Sequence, residues 1–293
     1  MTVQFNNITI IGLGLIGSSI LHALNVKFNK KFNISVYDTN SNHRKIIKKM
    51  NIANMVCSKI NKAVENADLI ILAVPVGSMG HVAKQIKPFL KKGAIITDTG
   101  STKLSVVRDI ESFIPSGVFF IPSHPLAGTE HSGPESGFAS LFENRYWIIV
   151  SNKEDKNAIK LQSLFEKFGA NVEYMDAEYH DKILAITSHL PHLIAYTIVG
   201  TANDLEKDLK NDVIRFSATG FRDFTRLASS DPTMWRDVFI NNSEAVLEML
   251  QRFNEDIGLL QKLIRKKNSK ELYEFFVKTK KIRGKIIHAG QHE

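Results

Sequence analysis

The chain has 293 residues, 43% apolar and 23% charged, which is the composition of a globular protein with one large or two ordinary domains and excludes a disordered or fibrous chain. Its net charge of +8 is scattered, and the densest clusters, Arg265-Lys266-Lys267 and Lys278 to Lys285, fall on expected solvent faces of terminal helices, so no nucleic-acid partner is expected, while the positive field suits small anions. The single cysteine, Cys57, excludes an intramolecular disulfide and a multi-cysteine metal site; no apolar run reaches the ~18–20 residues of a membrane span and no leader pattern opens the chain, so a cytoplasmic protein with no membrane partner is expected.

Apolar, β-branched runs at 8–12, 34–37, 69–74, 94–97, 118–121 and 146–150, with a shorter one near 171–175, have the character of buried strands. Between them, 18–24, 43–50, 82–90, 104–110 and 155–168 have helical periodicity. This alternation predicts an α/β, Rossmann-type, doubly wound and mostly parallel sheet. After Met175 the pattern changes to helix alone, over 176–202, 205–216, 224–228, 232–264 and 269–285. The expected organisation is therefore a dinucleotide-binding domain over 1–175 and an all-α domain over 176–293.

The turn Gly12-Leu13-Gly14-Leu15-Ile16-Gly17 follows the first strand and opens the first helix. Gly12 permits the tight turn, Gly14 lets the backbone approach a pyrophosphate, and Gly17 lets helix and strand pack closely. Leu15 and Ile16 contribute N–H groups at the helix N-terminus, where anions are favoured. Asp38 ends the second strand at the spacing expected of an acid that binds the adenosine ribose hydroxyls. Its charge repels a 2′-phosphate, so NAD is expected over NADP, although His43 and Arg44 follow closely. Val74 and Pro75 end another strand on the same side, as candidates to pack against the cofactor.

Two further strand ends carry chemistry. One gives Asp98-Thr99-Gly100-Ser101-Thr102-Lys103 and the other Ser123-His124-Pro125. Removing a hydride from a carbinol carbon requires a base for the hydroxyl proton, which suits His124, and a second group to hold that hydroxyl, which suits Ser101. Ser101 also stands where a cap of the next helix belongs.

Gly12 to Gly17, Asp98 to Lys103, and His124-Pro125-Leu126-Ala127-Gly128-Thr129-Glu130 with Ser132-Gly133 together resemble the prephenate/arogenate dehydrogenase family. The likeness continues through Ser188-His189-Leu190-Pro191-His192, Gly220 to Arg226, and Ser230 to Asp237. It implies NAD-dependent oxidative decarboxylation of prephenate to 4-hydroxyphenylpyruvate, or of arogenate to tyrosine, with no metal. It implies that His124 is the base at the 4-hydroxyl, assisted by Ser101, and that Arg226 binds a substrate carboxylate. Ser188 and His192, on one helix face with Pro191 expected to kink that helix, match family positions at the substrate side chain. Glu130, with Thr129 beside it, matches an acid near the entrance that can pair with an arginine, and Arg222 and Trp235 match positions near the same site. The resemblance also implies a homodimer formed through the helical domain. The more remote alternatives are a β-hydroxyacid dehydrogenase, for which Lys182 lies on the appropriate helix, and a non-catalytic NAD-binding protein.

Overall fold

The computed structural model describes residues 5–205, 212–213 and 215–288. The chain divides into two compact units, Met1–Ser243 and Glu244–Glu293.

Six short strands organise the first unit: β1 (Asn7–Ile11), β2 (Asn33–Tyr37), β3 (Met55–Val56), β4 (Leu69–Leu72), β5 (Ile95–Asp98) and β6 (Phe119–Phe120). They lie in the order β3-β2-β1-β4-β5-β6, and every neighbouring pair is parallel. The expected Rossmann-type sheet is therefore present. All four residues of β4 and of β5 are buried, which is why β4 is apolar on both faces, while β5 ends in the buried polar residues Thr97 and Asp98. The connecting helices are α1 (Leu15–Lys27), α2 (Ser41–Met50), α3 (Ile60–Val64), α4 (Met79–Ile86) and α5 (Leu104–Glu111). The strand order reverses between β1 and β4, and the crevice beyond their carboxyl ends is where a ligand fits in such a sheet.

The later strands depart from the expected single sheet. Only Phe119–Phe120 of the run 118–121 pairs with β5. Pro122 follows closely and has no N–H to continue a ladder. The chain then enters a second sheet, in which β7 (Ser123–Pro125) pairs antiparallel with β8 (Tyr146–Ile149), and β8 pairs parallel with β9 (Asn171–Tyr174). Helix α6 (Lys156–Lys167), capped by Asp155, covers it: Trp147 of β8 stacks on Phe165 with centroids 3.8 Å apart. The Trp147 indole N–H also donates to Ser123 Oγ over 3.1 Å, tying β8 to the residue before His124.

The stretch expected to be one helix over 176–202 is α7 (Ala177–Leu184), a π-helical turn Ala185–His189, and α8 (Leu190–Asn203). Pro191, expected to kink this helix, stands in the first turn of α8, just after the π turn where the hydrogen-bond ladder shifts. Joined end to end, Ala177–Asn203 is 27 residues long and, by length and composition, apolar enough to cross a membrane, which a search for uninterrupted apolar runs overlooks. His180 and Asp181 are nevertheless buried within its first turns. Of the helix expected over 205–216, residues 206–211 and 214 lie outside the described residues.

The helix expected around 224–228 is α9 (Thr219–Thr225) followed by a 3₁₀ turn, Arg226–Ser229. The one expected over 232–264 is two helices, α10 (Pro232–Asn241) and α11 (Ser243–Arg265). They break at Asn242, where the backbone leaves helical geometry and the side-chain amide donates to Asp181 O at 2.9 Å and His189 Nδ1 at 3.1 Å. Helix α11 leads into the second unit, which also contains α12 (Ser269–His288).

Candidate active site

The crevice begins at the glycine turn. Gly12 has φ +96°, and a Cβ there would collide with the Ala73 carbonyl and touch Val74 Cγ1 at 3.0 Å. A Cβ on Gly17 would strike the Gly12 carbonyl oxygen, so α1 can lie this close to β1 only with glycine. Around Gly14 there is open space. Helix α1 has no side-chain cap and no acid in its first turn, leaving the N–H groups of Leu15, Ile16 and Gly17 without side-chain partners. Open space in front of an uncapped helix start fits the phosphates of a dinucleotide. Val74 is half-buried at this turn, and Pro75 beyond it is exposed.

Asp38 stands across the turn. Its Oδ2 accepts the Leu13 N–H at 2.7 Å, and its Oδ1 accepts the Asn40 N–H at 2.7 Å. His43 Nδ1 lies 3.1 Å from Oδ2, while the Arg44 guanidinium donates to the backbone carbonyls of Asp38 and Thr39.

At the end of β5, Asp98 is fully buried and accepts the N–H groups of Gly100 at 2.8 Å and Ser123 at 3.1 Å. Its carboxylate pairs with Lys103 Nζ, which also donates to the Ser123 carbonyl at 2.7 Å. Burial pulls the Lys103 ammonium below the ordinary lysine value, and the Asp98 charge opposes that pull. Ser123 Oγ donates to Asp98 O at 2.8 Å. These bonds fix the strand end that carries His124.

His124 is buried, 7% exposed, with Nδ1 2.9 Å from His180 Nε2. Its pKa lies well below the ordinary histidine value, first through burial and then through His180, Lys103 and His189. His180 is lowered by burial too, against the pull of its bond to Asp181. His189 is lowered to about 4 by burial; the Asp181 charge and, less strongly, the Ser101 backbone oppose the shift, and among the described residues its Nε2 has no hydrogen bond of proper geometry. An imidazole held below its ordinary value in this way is unprotonated at neutral pH and can accept a proton. Ser101 is half-buried, and among the described residues its hydroxyl makes no hydrogen bond. It does not cap α5, whose first turn instead receives the carboxylate of Asp181, through bonds from the N–H groups of Lys103 and Leu104.

The other candidates lie farther along. Ser188 and His192 are half-buried one turn apart, with His192 Nδ1 2.9 Å from the Ser188 carbonyl. The His192 ring stacks on Trp235 with centroids 3.6 Å apart, and burial lowers its pKa. Trp235 is buried at 6% exposure, and among the described residues its indole N–H has no hydrogen-bond partner. Arg226 Nη1 reaches Glu130 Oε2 at 3.2 Å, rather than Asp223 or Asp231 on its own side of the chain. Thr129 is exposed and its Oγ1 accepts the His131 N–H. Arg222 is exposed one turn before Arg226. Hydrogen bonds and ring contacts thus join His192 to Trp235 and Glu130 to Arg226, while Thr129 and Arg222 stay on the exposed rim. Sequence reasoning did not single out His180, Asp181, His189 or the Lys103–Asp98 pair as functional residues. The available signal was a polar pair, His180-Asp181, at the start of an otherwise apolar helix.

Comparisons with known proteins cover nearly all of these elements. Residues 22–174 match the prephenate dehydrogenase nucleotide-binding domain and residues 176–278 the prephenate dehydrogenase dimerization domain. The chain is 41% identical over 285 residues to a cyclohexadienyl dehydrogenase of Zymomonas mobilis, covering 97% of this chain and 96% of that protein. It is 37% identical to a prephenate dehydrogenase of Lactococcus lactis, covering 97% of this chain and 78% of that one. A crystal structure of prephenate dehydrogenase from Aquifex aeolicus, in complex with hydroxyphenyl propionate and NAD+, superposes with a TM-score of 0.89 at 32% identity, covering 98% of this chain and all of that one.

Proposed function

The chain belongs to the prephenate dehydrogenase family, and on that premise we propose that it oxidises prephenate with loss of carbon dioxide, giving 4-hydroxyphenylpyruvate, with NAD rather than NADP as oxidant. The observation that carries the reading is His124: a buried, neutral imidazole at a strand end in the dinucleotide-binding unit, backed by a second histidine and a carboxylate.

Residues 1–175 hold the cofactor and 176–293 bring the substrate groups and the dimer contact. Gly12, Gly14, Leu15, Ile16 and Gly17 take the pyrophosphate, Asp38 the adenosine ribose, and Val74 with Pro75 the cofactor's flank. The choice of NAD is supported by Arg44, whose guanidinium is turned to the Asp38 and Thr39 carbonyls, and by the charge of Asp38, which would repel a 2′-phosphate. A dinucleotide held by these residues would supply the acceptor for the hydride of ring carbon 4.

His124 accepts the proton of the 4-hydroxyl at its ring nitrogen, and the free hydroxyl of Ser101 holds that oxygen in line. Arg226 exchanges Glu130 for a substrate carboxylate, which its planar guanidinium grips in a fork. Ser188, His192 and the unpartnered indole N–H of Trp235 line the side-chain end, with Thr129 and Arg222 at the rim.

A homodimer is the expected assembly. Helix α12 buries none of its residues, and Tyr273, Phe276 and Ile286 are each more than half exposed. The dimerization-domain match extends through the first half of this helix, to residue 278. A cytoplasmic site fits the lone buried thiol of Cys57.

A second reading keeps the chemistry and adds arogenate as substrate, because the Zymomonas mobilis relative is named a cyclohexadienyl dehydrogenase. Steady-state kcat/KM for prephenate and arogenate, each with NAD+ and NADP+, tests both points. The reading expects the highest value for prephenate with NAD+. A higher value for arogenate, or for NADP+, overturns the corresponding part.

A further inference from the structure

The histidine behind His124 has a direction built into it. Asp181 Oδ1 accepts the Lys103 N–H at 2.7 Å and Oδ2 accepts the Leu104 N–H at 3.0 Å, and Oδ1 also lies 2.7 Å from His180 Nδ1. A carboxylate engaged at both oxygens by backbone donors is an acceptor only. The proton between it and His180 therefore sits on His180 Nδ1. Burial keeps His180 neutral, so its Nε2 carries a lone pair and accepts. That nitrogen is 2.9 Å from His124 Nδ1, so His124 Nδ1 is the donor. A neutral imidazole has one N–H, which leaves His124 Nε2 bare.

We propose that Asp181 and His180 are positioning residues that lock His124 as its Nδ1–H tautomer and make Nε2 its proton-accepting atom, an inference that rests on His124 being the base. The charged and titratable groups facing the two rings are Lys103 and Asp98 from the end of β5 and the start of α5, His189 from the π turn, and Asp181 itself. Once His124 is protonated, its Nδ1–H still donates to His180 Nε2, so the pair holds both states without rearrangement.

Asp181→Asn offers one oxygen and one N–H₂ where three donors converge, so the amide must present an N–H to a donor or reverse the His180 proton. His180→Gln preserves the direction, accepting from His124 through its oxygen and donating to Asp181 through its amide, whereas His180→Met removes the acceptor. The direct reading is the tautomer of His124 from long-range ¹H–¹⁵N spectra of ¹⁵N-histidine-labelled protein, with its signal assigned by its loss in His124→Asn. An Nδ1–H tautomer is expected, and an Nε2–H tautomer overturns the proposal. In turnover, Asp181→Asn and His180→Met should lower kcat about 100-fold or more, with KM for prephenate within about threefold and His180→Gln within about tenfold of the parent kcat. Full kcat in His180→Met with an inactive His124→Asn sinks the positioning pair alone, whereas full activity in His124→Asn sinks the reading of His124 as base.

Discussion

Lys103 and Asp98 form an ion pair with neither side chain exposed, beneath the strand end that presents His124. Between them they satisfy the Gly100 and Ser123 N–H groups and the Ser123 carbonyl, so the pair is structural and electrostatic at once. A buried charge left without its partner is strongly destabilising. Lys103→Met should therefore lower the unfolding free energy by roughly 3–5 kcal/mol. Urea denaturation measures it, and an unchanged midpoint would remove the pair from the account.

The exposed pair of Arg226 and Glu130 should behave differently. Arg226→Ala is expected to raise KM for prephenate about 10- to 100-fold with a smaller change in kcat, as loss of a charge-assisted carboxylate contact predicts. Arg226→Lys should recover only part of this, because an ammonium cannot form the fork. Steady-state kinetics separates the two parameters.

On the proposed reading, the choice of cofactor falls to Asp38. Its carboxylate accepts the Leu13 N–H, and its charge is expected to repel a 2′-phosphate. Asp38→Ser should move the NADP/NAD ratio of kcat/KM toward NADP by about tenfold or more. A ratio left unchanged would dissociate Asp38 from the ribose.

Acid should destabilise the fold through its buried histidines. His189 titrates at about 4 in the folded chain against 6.5 when unconstrained. Between those values the unfolded chain binds a proton that the folded chain does not, so stability is complete above 6.5 and is lost as pH falls towards 4. At roughly 1.4 kcal/mol per pKa unit, His189 alone accounts for about 3 kcal/mol across that window. His124, His180 and His192 are lowered in the same direction and add to it. Urea midpoints at several pH values between 7 and 4 should fall with pH; a flat profile contradicts neutral burial of these rings.

The glycine turn, Asp38 and the strand ends could be read from the sequence because their geometry is local: a turn, a period, and a spacing of about twenty residues. The splitting of the sheet at Pro122 was less visible, since the antiparallel pairing of Ser123–Pro125 with β8 depends on a tertiary partner more than twenty residues away. The break at Asn242 was hidden for the same reason, as its amide is used on Asp181 and His189 rather than near its own helix. His180 stayed unnoticed because its relation to His124 spans 56 positions and two elements. Periodicity marks which face of a helix is buried, not which polar atom it meets there.

The most direct measurement follows NADH absorbance with prephenate and NAD+ in the parent protein and in His124→Asn. The parent should form NADH as prephenate decarboxylates, and the variant should lose roughly 10²- to 10⁴-fold in kcat with little change in KM. No NADH from the parent, or undiminished turnover in the variant, would contradict the assignment of His124 as the base of this reaction.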